Sequence, residues 1–257
     1  MLNTKNKTLG LKDQVFGHLG FSADMKLNED ELQAFRSLIS NQWLSVIQTS
    51  HPELANEAKA IGIQNYHTLS NRIDHNKIWP KCNRLLPQIA VDEIKQFSFI
   101  NALKEEFGDF SISDIYDTKQ HFGKEEIYWR LVRPNTPSDI GPLHCDHWFH
   151  TAFNNGQGMF NTDEKTVKIW IPIFCEPNKS GLSIVPGSHL RDWHYHIVTT
   201  NGVPRPMLDE DISKIDAQLI PTEPGNMLIF NENVLHGGVI NKGKYTRVSV
   251  EITMVLK

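Results

Sequence analysis

Cysteine is scarce in this chain: 257 residues hold 3, at Cys82, Cys145 and Cys175. They are scattered and none stands in a C-x-x-C pair, which excludes a disulfide framework and leaves no pattern for structural zinc or dithiol exchange. Long apolar runs are missing too, since none approaches the about 20 residues a membrane helix needs. The polar start MLNTKNKTLGLKDQ lacks the apolar core of a signal peptide, so the expected setting is the cytoplasm, with reduced thiols. Basic clusters are also absent. The net charge is -4, with Lys and Arg dispersed, which gives no footprint for nucleic acid or an anionic membrane and leaves a small molecule as the expected partner.

What is present is an ordinary globular composition, 39% hydrophobic and 22% charged, long enough for one sizeable domain over residues 1–257. The first part, 1–123, reads as mainly helical. Asn28 and Glu31 form a capping pattern, followed by Leu32, Phe35, Leu38, Ile39, Trp43 and Ile47 at spacings that share one helix face. Residues 52–61 and 92–107 give two further helices, with Pro80 and Pro87 breaking the chain between them. Nothing catalytic stands out there.

From about residue 124 the texture changes to short β-rich runs separated by Pro, Gly and Asn, the pattern of an antiparallel sandwich or barrel. Strands are expected at 126–133, around 143–147, and at 166–174, 182–185, 226–231 and 245–255, with irregular stretches at 148–164 and 190–217. Alternation sorts their faces. Val248, Val250, Ile252 and Met254 are expected to pack under the helices, as are Val167, Ile169, Ile171 and Ile173. Arg247, Ser249, Glu251 and Thr253 face the other way, as do Lys168 and Trp170, toward either solvent or a polar cavity. Trp129 and Arg130 take opposite faces of their strand, and the pattern does not say which looks inward.

The chemistry gathers in this second part. On a strand, His144 and Asp146 project from one face, free to converge on an ion. His236, followed by Gly237-Gly238, adds a second imidazole. Two histidines and one carboxylate with open positions form the ligand set of non-haem Fe(II) oxygenases, and an α-keto acid can chelate there while leaving room for O2. By itself H-x-D also occurs as an ordinary surface pair among the chain's 12 histidines. A hairpin tip at residues 241–244 is expected to return Arg247 and Ser249 to the neighbourhood of His236. An arginine fork and a hydroxyl suit the distal carboxylate of 2-oxoglutarate, although Arg247 could instead pair structurally with Glu251. His147 falls on the face opposite the ligands and, with His150, suits lid or substrate contacts. His189, His194 and His196 fall in or beside a turn and are expected to be exposed. Cys145 is expected to point away from the metal.

These residues, in order, resemble the phytanoyl-CoA dioxygenase family: His144-x-Asp146, the strand with Lys168 and Trp170, the run Asn178 to Gly181, Pro186-Gly187-Ser188-His189, Pro224-Gly225, His236, Asn241 and Arg247-x-Ser249. The resemblance spans about residues 126–255. It implies a double-stranded β-helix, or jelly roll, with helices packed on one sheet. It also implies Fe(II) on His144, Asp146 and His236, and 2-oxoglutarate on Arg247 with help from the Trp170 strand. Either Lys168 or Trp170 could contact the cosubstrate or the substrate. The Pro-Gly-Ser-His turn is a hallmark of the family with a structural role. Asp146 stands where halogenating relatives carry a small residue that makes room for chloride.

The expected activity is Fe(II)- and 2-oxoglutarate-dependent hydroxylation of an unactivated C–H, with release of succinate and CO2. Desaturation, cyclisation and epimerisation are other outcomes of the same oxidant. A jelly-roll binding protein without turnover and a zinc hydrolase are the competing classes, and no separate general base supports the second. Trp148, Phe149, Phe153, Trp193 and Tyr195 could close over a partly apolar substrate, whose identity the sequence leaves open.

Overall fold

The computed structural model describes residues 9–113, 125–149, 165–200 and 203–257. The expected contacts of His150 and Phe153, and residues 150–164 of the first irregular stretch, lie outside this set. Helix α1 (Leu11–Phe16) leads into strand β1 (Phe21–Lys26), and α2 (Glu29–Ser50) follows. The capping box is present, with Asn28 accepting from the Glu31 amide and Glu31 accepting from the Asn28 amide. Glu31 also accepts from the Ser98 amide at 2.6 Å, tying the start of α2 to a later helix. Leu32, Phe35, Ile39, Trp43 and Ile47 are buried along one face, as their spacing requires. The segment 52–61 is a 3-10 turn, Pro52–Leu54, followed by α3 (Ala55–Ile61). After α4 (His75–Ile78), the expected helix over 92–107 is instead two, α5 (Gln88–Ile94) and α6 (Ser98–Phe107). Phe97 breaks the run by turning extended and packing edge-on against Phe35, 5.7 Å between ring centroids.

The strands that follow are β2 (Phe110–Ile112), β3 (Ile127–Val132), β4 (Thr166–Phe174), β5 (Gly181–Ile184), β6 (Tyr195–Thr200), β7 (Val203–Leu208), β8 (Gln218–Leu219), β9 (Asn226–Asn231), β10 (His236–Val239) and β11 (Arg247–Leu256). Among the described residues a major antiparallel sheet runs β1-β9-β4-β11-β2, with β3 also pairing β11. A minor sheet runs β10-β5-β8, and β6 pairs β7 as a hairpin. Helices cover one face of the major sheet. There Val248, Val250, Ile252, Met254, Val167, Ile169, Ile171, Ile173, Trp129 and Leu131 share one apolar core with α2. Trp170, Leu228 and Phe230 leave the opposite face and pack with Leu182, Ile184 and Val234 between the sheets. This is a jelly roll with a helical layer. Trp129 therefore looks outward to the helices, where its indole N–H donates to Gln42 at 2.8 Å, and Arg130 looks inward.

Four further expectations change. Strand β1 lies in the part read as helical, where it completes the edge of the sheet beside β9. Part of the irregular stretch 190–217 is the β6–β7 hairpin. Residues 143–147 do not form a strand: His144 makes an isolated antiparallel bridge to His236, and 147–149 turn helical. That turn buries Trp148, which stacks on Tyr195 at 4.5 Å. The tip at 241–244 is not a hairpin either, since β10 pairs β5 while β11 pairs β3 and β4. The connection crosses between sheets, held by buried Asn241, which donates to the carbonyls of Val132 at 2.9 Å and Tyr245 at 2.8 Å and accepts from Gly243 at 3.0 Å.

Candidate metal centre

His144, Asp146 and His236 meet. Their ligand atoms lie within 4.8 Å of one another, with His236 on β10 of the minor sheet and Lys168 of β4 3.9 Å from Asp146. The His144–His236 bridge, with amide-to-carbonyl distances of 2.9 Å both ways, brings the two imidazoles together. Asp146 reaches them because the chain leaves the bridge for a helical turn, so the convergence that strand alternation suggested has a different local cause. Gly237 and Gly238 lie within β10, and their role is close approach rather than a turn. A Cβ on Gly237 would meet the Pro142 carbonyl at 3.1 Å, and one on Gly238 would meet Ile140 at 3.0 Å. The glycines let the segment carrying His144 lie against β10.

Both rings are oriented by carbonyls. His144 Nδ1 lies 2.8 Å from the Pro142 oxygen and His236 Nδ1 2.9 Å from the Val234 oxygen. A carbonyl only accepts, so each Nδ1 carries the proton and each Nε2 presents a lone pair to the site. His144 Nε2 is 3.9 Å from Asp146 Oδ1, and His236 Nε2 is 3.7 Å from Oδ2. Two ligands each bound at about 2.1 Å can span about 4.2 Å. Burial, with His236 second, pushes His144 down to about 4, which keeps it neutral. Burial works to raise the Asp146 pKa, but Lys168 and the two histidines outweigh it and hold the carboxyl below its usual range. Asp146 Oδ2 is buried without a hydrogen bond to any described residue. A buried carboxylate oxygen so placed fits a cation bound between the two Nε2 atoms.

A second set of orphaned polar atoms lies on β11. Arg247 is buried, and its Nη1 donates to the Gly181 carbonyl at 2.6 Å while its Nε has no partner among the described residues. Ser249 Oγ, fully buried, has none either. Burial, then Arg130, lowers the Arg247 pKa to about 10, so the guanidinium remains charged. The Trp170 ring lies 5.5 Å from its central carbon. Arg247 is not Glu251's partner: Glu251 pairs with Arg130 and accepts from the Tyr128 hydroxyl. Lys168 stands away from Arg247 in register, 3.9 Å from Asp146 Oδ2, and donates to Thr253 at 2.9 Å.

Other candidates fall outside the centre. Cys145 is buried, its thiol directed to the Asn233 carbonyl at 3.2 Å. His147 lies 3.9 Å from Glu232. His194 and His196 are exposed, but His189 is not: its Nε2 lies 2.9 Å from the Gly17 carbonyl, and its ring sits where a Cβ on Gly20 would be. The turn 186–189 is structural, with Ser188 Oγ accepting from the Leu235 amide at 2.8 Å just before His236. Trp148, Tyr195 and Trp193 pack together under the hairpin, whereas Phe149 meets His144 edge-on at 5.2 Å. The sequence leaves the face of Arg130 open and does not single out Tyr128; the packing of Trp129 against the helices decides the inward face of EIYWRLVR.

Residues 84–249 match the family described as phytanoyl-CoA dioxygenase (PhyH). The sequence matches no curated protein. Among solved structures, the fold is similar to the apo form of the non-heme monooxygenase ThoJ, with TM-score 0.59 and 14% identity over 96% of this chain and 77% of that one. It is also similar to AviO1 from Streptomyces viridochromogenes Tue57, with TM-score 0.54 and 11% identity over 95% and 93% of the two chains. A third is the non-heme alpha ketoglutarate dependent carbocyclase SnoK from nogalamycin biosynthesis, with TM-score 0.51 and 14% identity over 97% and 84%. With the family match covering well over half of its length, the chain belongs to the phytanoyl-CoA dioxygenase family of non-haem Fe(II)- and 2-oxoglutarate-dependent oxygenases.

Proposed function

We propose that this chain, acting as one catalytic domain, hydroxylates an unactivated C–H of a small molecule, with His144, Asp146 and His236 holding Fe(II). Arg247 and Ser249 receive the distal carboxylate of 2-oxoglutarate. The observation that carries this reading is the placement of three buried polar atoms without partners among the described residues, Asp146 Oδ2, Arg247 Nε and Ser249 Oγ, on the walls between the two sheets. A binding protein without turnover would gain nothing from leaving both sets unsatisfied.

Bound iron with 2-oxoglutarate and O2 supplies an oxidant able to remove hydrogen from carbon, with succinate and CO2 as by-products. The protein's residues hold and shield it. The two Nδ1–H donors fix the imidazoles with Nε2 inward, and Asp146 contributes one negative charge and fills a position that chloride would otherwise take. Arg247 offers a fixed planar donor set, backed by Trp170, and Ser249 adds a hydroxyl donor. Phe149 and Phe230, the latter 4.6 Å from the His236 ring, keep water from the metal's neighbourhood. Three unpaired cysteines suit a reducing, cytoplasmic setting. No described helix is long and apolar enough to cross a membrane.

Iron-loaded protein given 2-oxoglutarate and O2 should release succinate slowly even without its substrate. Asp146→Ala should release none. A folded, iron-loaded wild type that forms no succinate under any substrate panel contradicts the proposal.

A further inference from the structure

Beyond Arg247 the inward face of the major sheet carries a second charged group that the cosubstrate does not use. Glu251 on β11 lies opposite Tyr128 on one side and Trp170 on the other. Arg130, two residues beyond Tyr128, and Lys168, two before Trp170, share that face, so the two cations flank β11 with Glu251 between them. Arg130 Nε pairs with Glu251 Oε1, the Tyr128 hydroxyl donates to Oε2, and Arg130 Nη2 reaches the same hydroxyl at 2.8 Å. Those contacts pin one edge of the guanidinium. Its Nη1 makes no hydrogen bond among the described residues, and the side chain is 38% exposed against 15% for Glu251. A pinned arginine with an open edge is a prepared fork for an oxyanion.

The charge balance points the same way. With Fe(II) and 2-oxoglutarate in place, two positive charges on the metal and one on Arg247 offset Asp146 and the two carboxylates. Asp146, 3.9 Å from Lys168 and otherwise its nearest anion, is then committed to the metal. Arg130 and Lys168 are left to share Glu251, and Lys168 is only 13% exposed. Arg84, whose Nη1 donates to the Trp129 carbonyl at 3.0 Å, adds charge of the same sign behind Arg130, while Lys81 is matched by Glu126 at 2.7 Å. Among the described residues, Arg130, Lys168 and Arg84 together outweigh Glu251, so buried positive charge is in excess there.

We infer that the oxidised substrate carries an anionic oxygen group, carboxylate or phosphoryl, that docks between Arg130 and Lys168 and so hangs its target carbon beside the iron. This rests on the iron and 2-oxoglutarate reading above. Glu251 acts as a positioning residue, holding Arg130 in one rotamer. Phe149, edge-on to His144, gives the carbon skeleton an apolar wall.

The test uses anaerobic protein with Fe(II) and saturating 2-oxoglutarate, whose visible charge-transfer band reports cosubstrate seating. Phenylacetate, phenyl phosphate, phenylacetamide and 2-phenylethylammonium are titrated as probes, followed by thermal shift and by perturbation of that band. The expected result is that phenylacetate or phenyl phosphate binds about tenfold tighter than the amide and that the ammonium does not bind. The stronger of the two anions identifies the source. Arg130→Gln should erase the preference while the band persists, and Lys168→Met should erase it in protein whose iron content and band are confirmed first, because Lys168 also lies 3.9 Å from Asp146. Arg130→Gln/Glu251→Gln, which removes the pair together, guards against an unpaired buried carboxylate. Equal binding of amide and anion, no anion binding, anions that displace 2-oxoglutarate, or a preference untouched by either substitution overturns this inference with the band intact. Failure of the band in wild type overturns the parent reading as well.

Discussion

Strand β11 has two faces that follow opposite rules. Toward the helices, Val248, Val250, Ile252 and Met254 are buried in a core closed by α2 and β4. Toward the minor sheet, Arg247 and Ser249 are as deeply buried, yet keep polar atoms without partners. One face carries apolar side chains closed by the helices, and the other carries buried polar groups with atoms that no described residue satisfies. A stability-driven sequence would fill that second face with apolar side chains or satisfied pairs.

Substitutions can break the comparison in order of effect. Val250→Asp places an unpaired charge in the helix-side core and should cost about 4 to 5 kcal/mol, enough to abolish folding in a thermal or denaturant melt. Ile252→Ala at the same face should cost about 3 kcal/mol while leaving cosubstrate affinity intact in whatever remains folded. On the other face Arg247→Ala should cost about 1 to 2 kcal/mol, since the Gly181 carbonyl loses its donor, but weaken 2-oxoglutarate on the order of a hundredfold, iron affinity being spared. An unchanged requirement would remove Arg247 from the cosubstrate. Ser249→Ala should weaken 2-oxoglutarate by about fivefold with no loss of stability, since its hydroxyl has no partner to lose.

The smallest effect is in the pH profile. Burial would raise the Glu251 pKa, but Arg130 and Lys168 prevail and lower it to about 2 from an ordinary 4.5. The folded state thus binds fewer protons than the unfolded one in that interval. Its contribution is fully present above pH 4.5 and is lost as pH falls toward 2. Acid melts of Arg130→Gln/Glu251→Gln should show a shallower decline over that window than wild type; an identical slope would contradict the ion pair.

Much of this was legible in the residues. The capping box at Asn28 and Glu31, the strands 166–174 and 226–231, and the face assignment of β4 and β11 all stand, because strong periodicity and capping are local. His144, Asp146 and His236 were identifiable as a set, but the geometry joining them was not. A strand and a hairpin were inferred where the chain makes a single bridge, a helical turn and a crossing between sheets. Those features depend on distant partners: Trp148 finding Tyr195, and Asn241 finding Val132. The orientation of Arg130 was hidden for the same reason, since only packing of Trp129 against α2 decides which side of β3 faces the metal.

The most direct test is anaerobic titration of 2-oxoglutarate into the Fe(II)-loaded protein. The account predicts a weak visible charge-transfer band that saturates with 2-oxoglutarate in wild type, is absent from Asp146→Ala, and needs far more 2-oxoglutarate in Arg247→Ala. Confirmed iron binding in the wild type with no band at any 2-oxoglutarate concentration would contradict it.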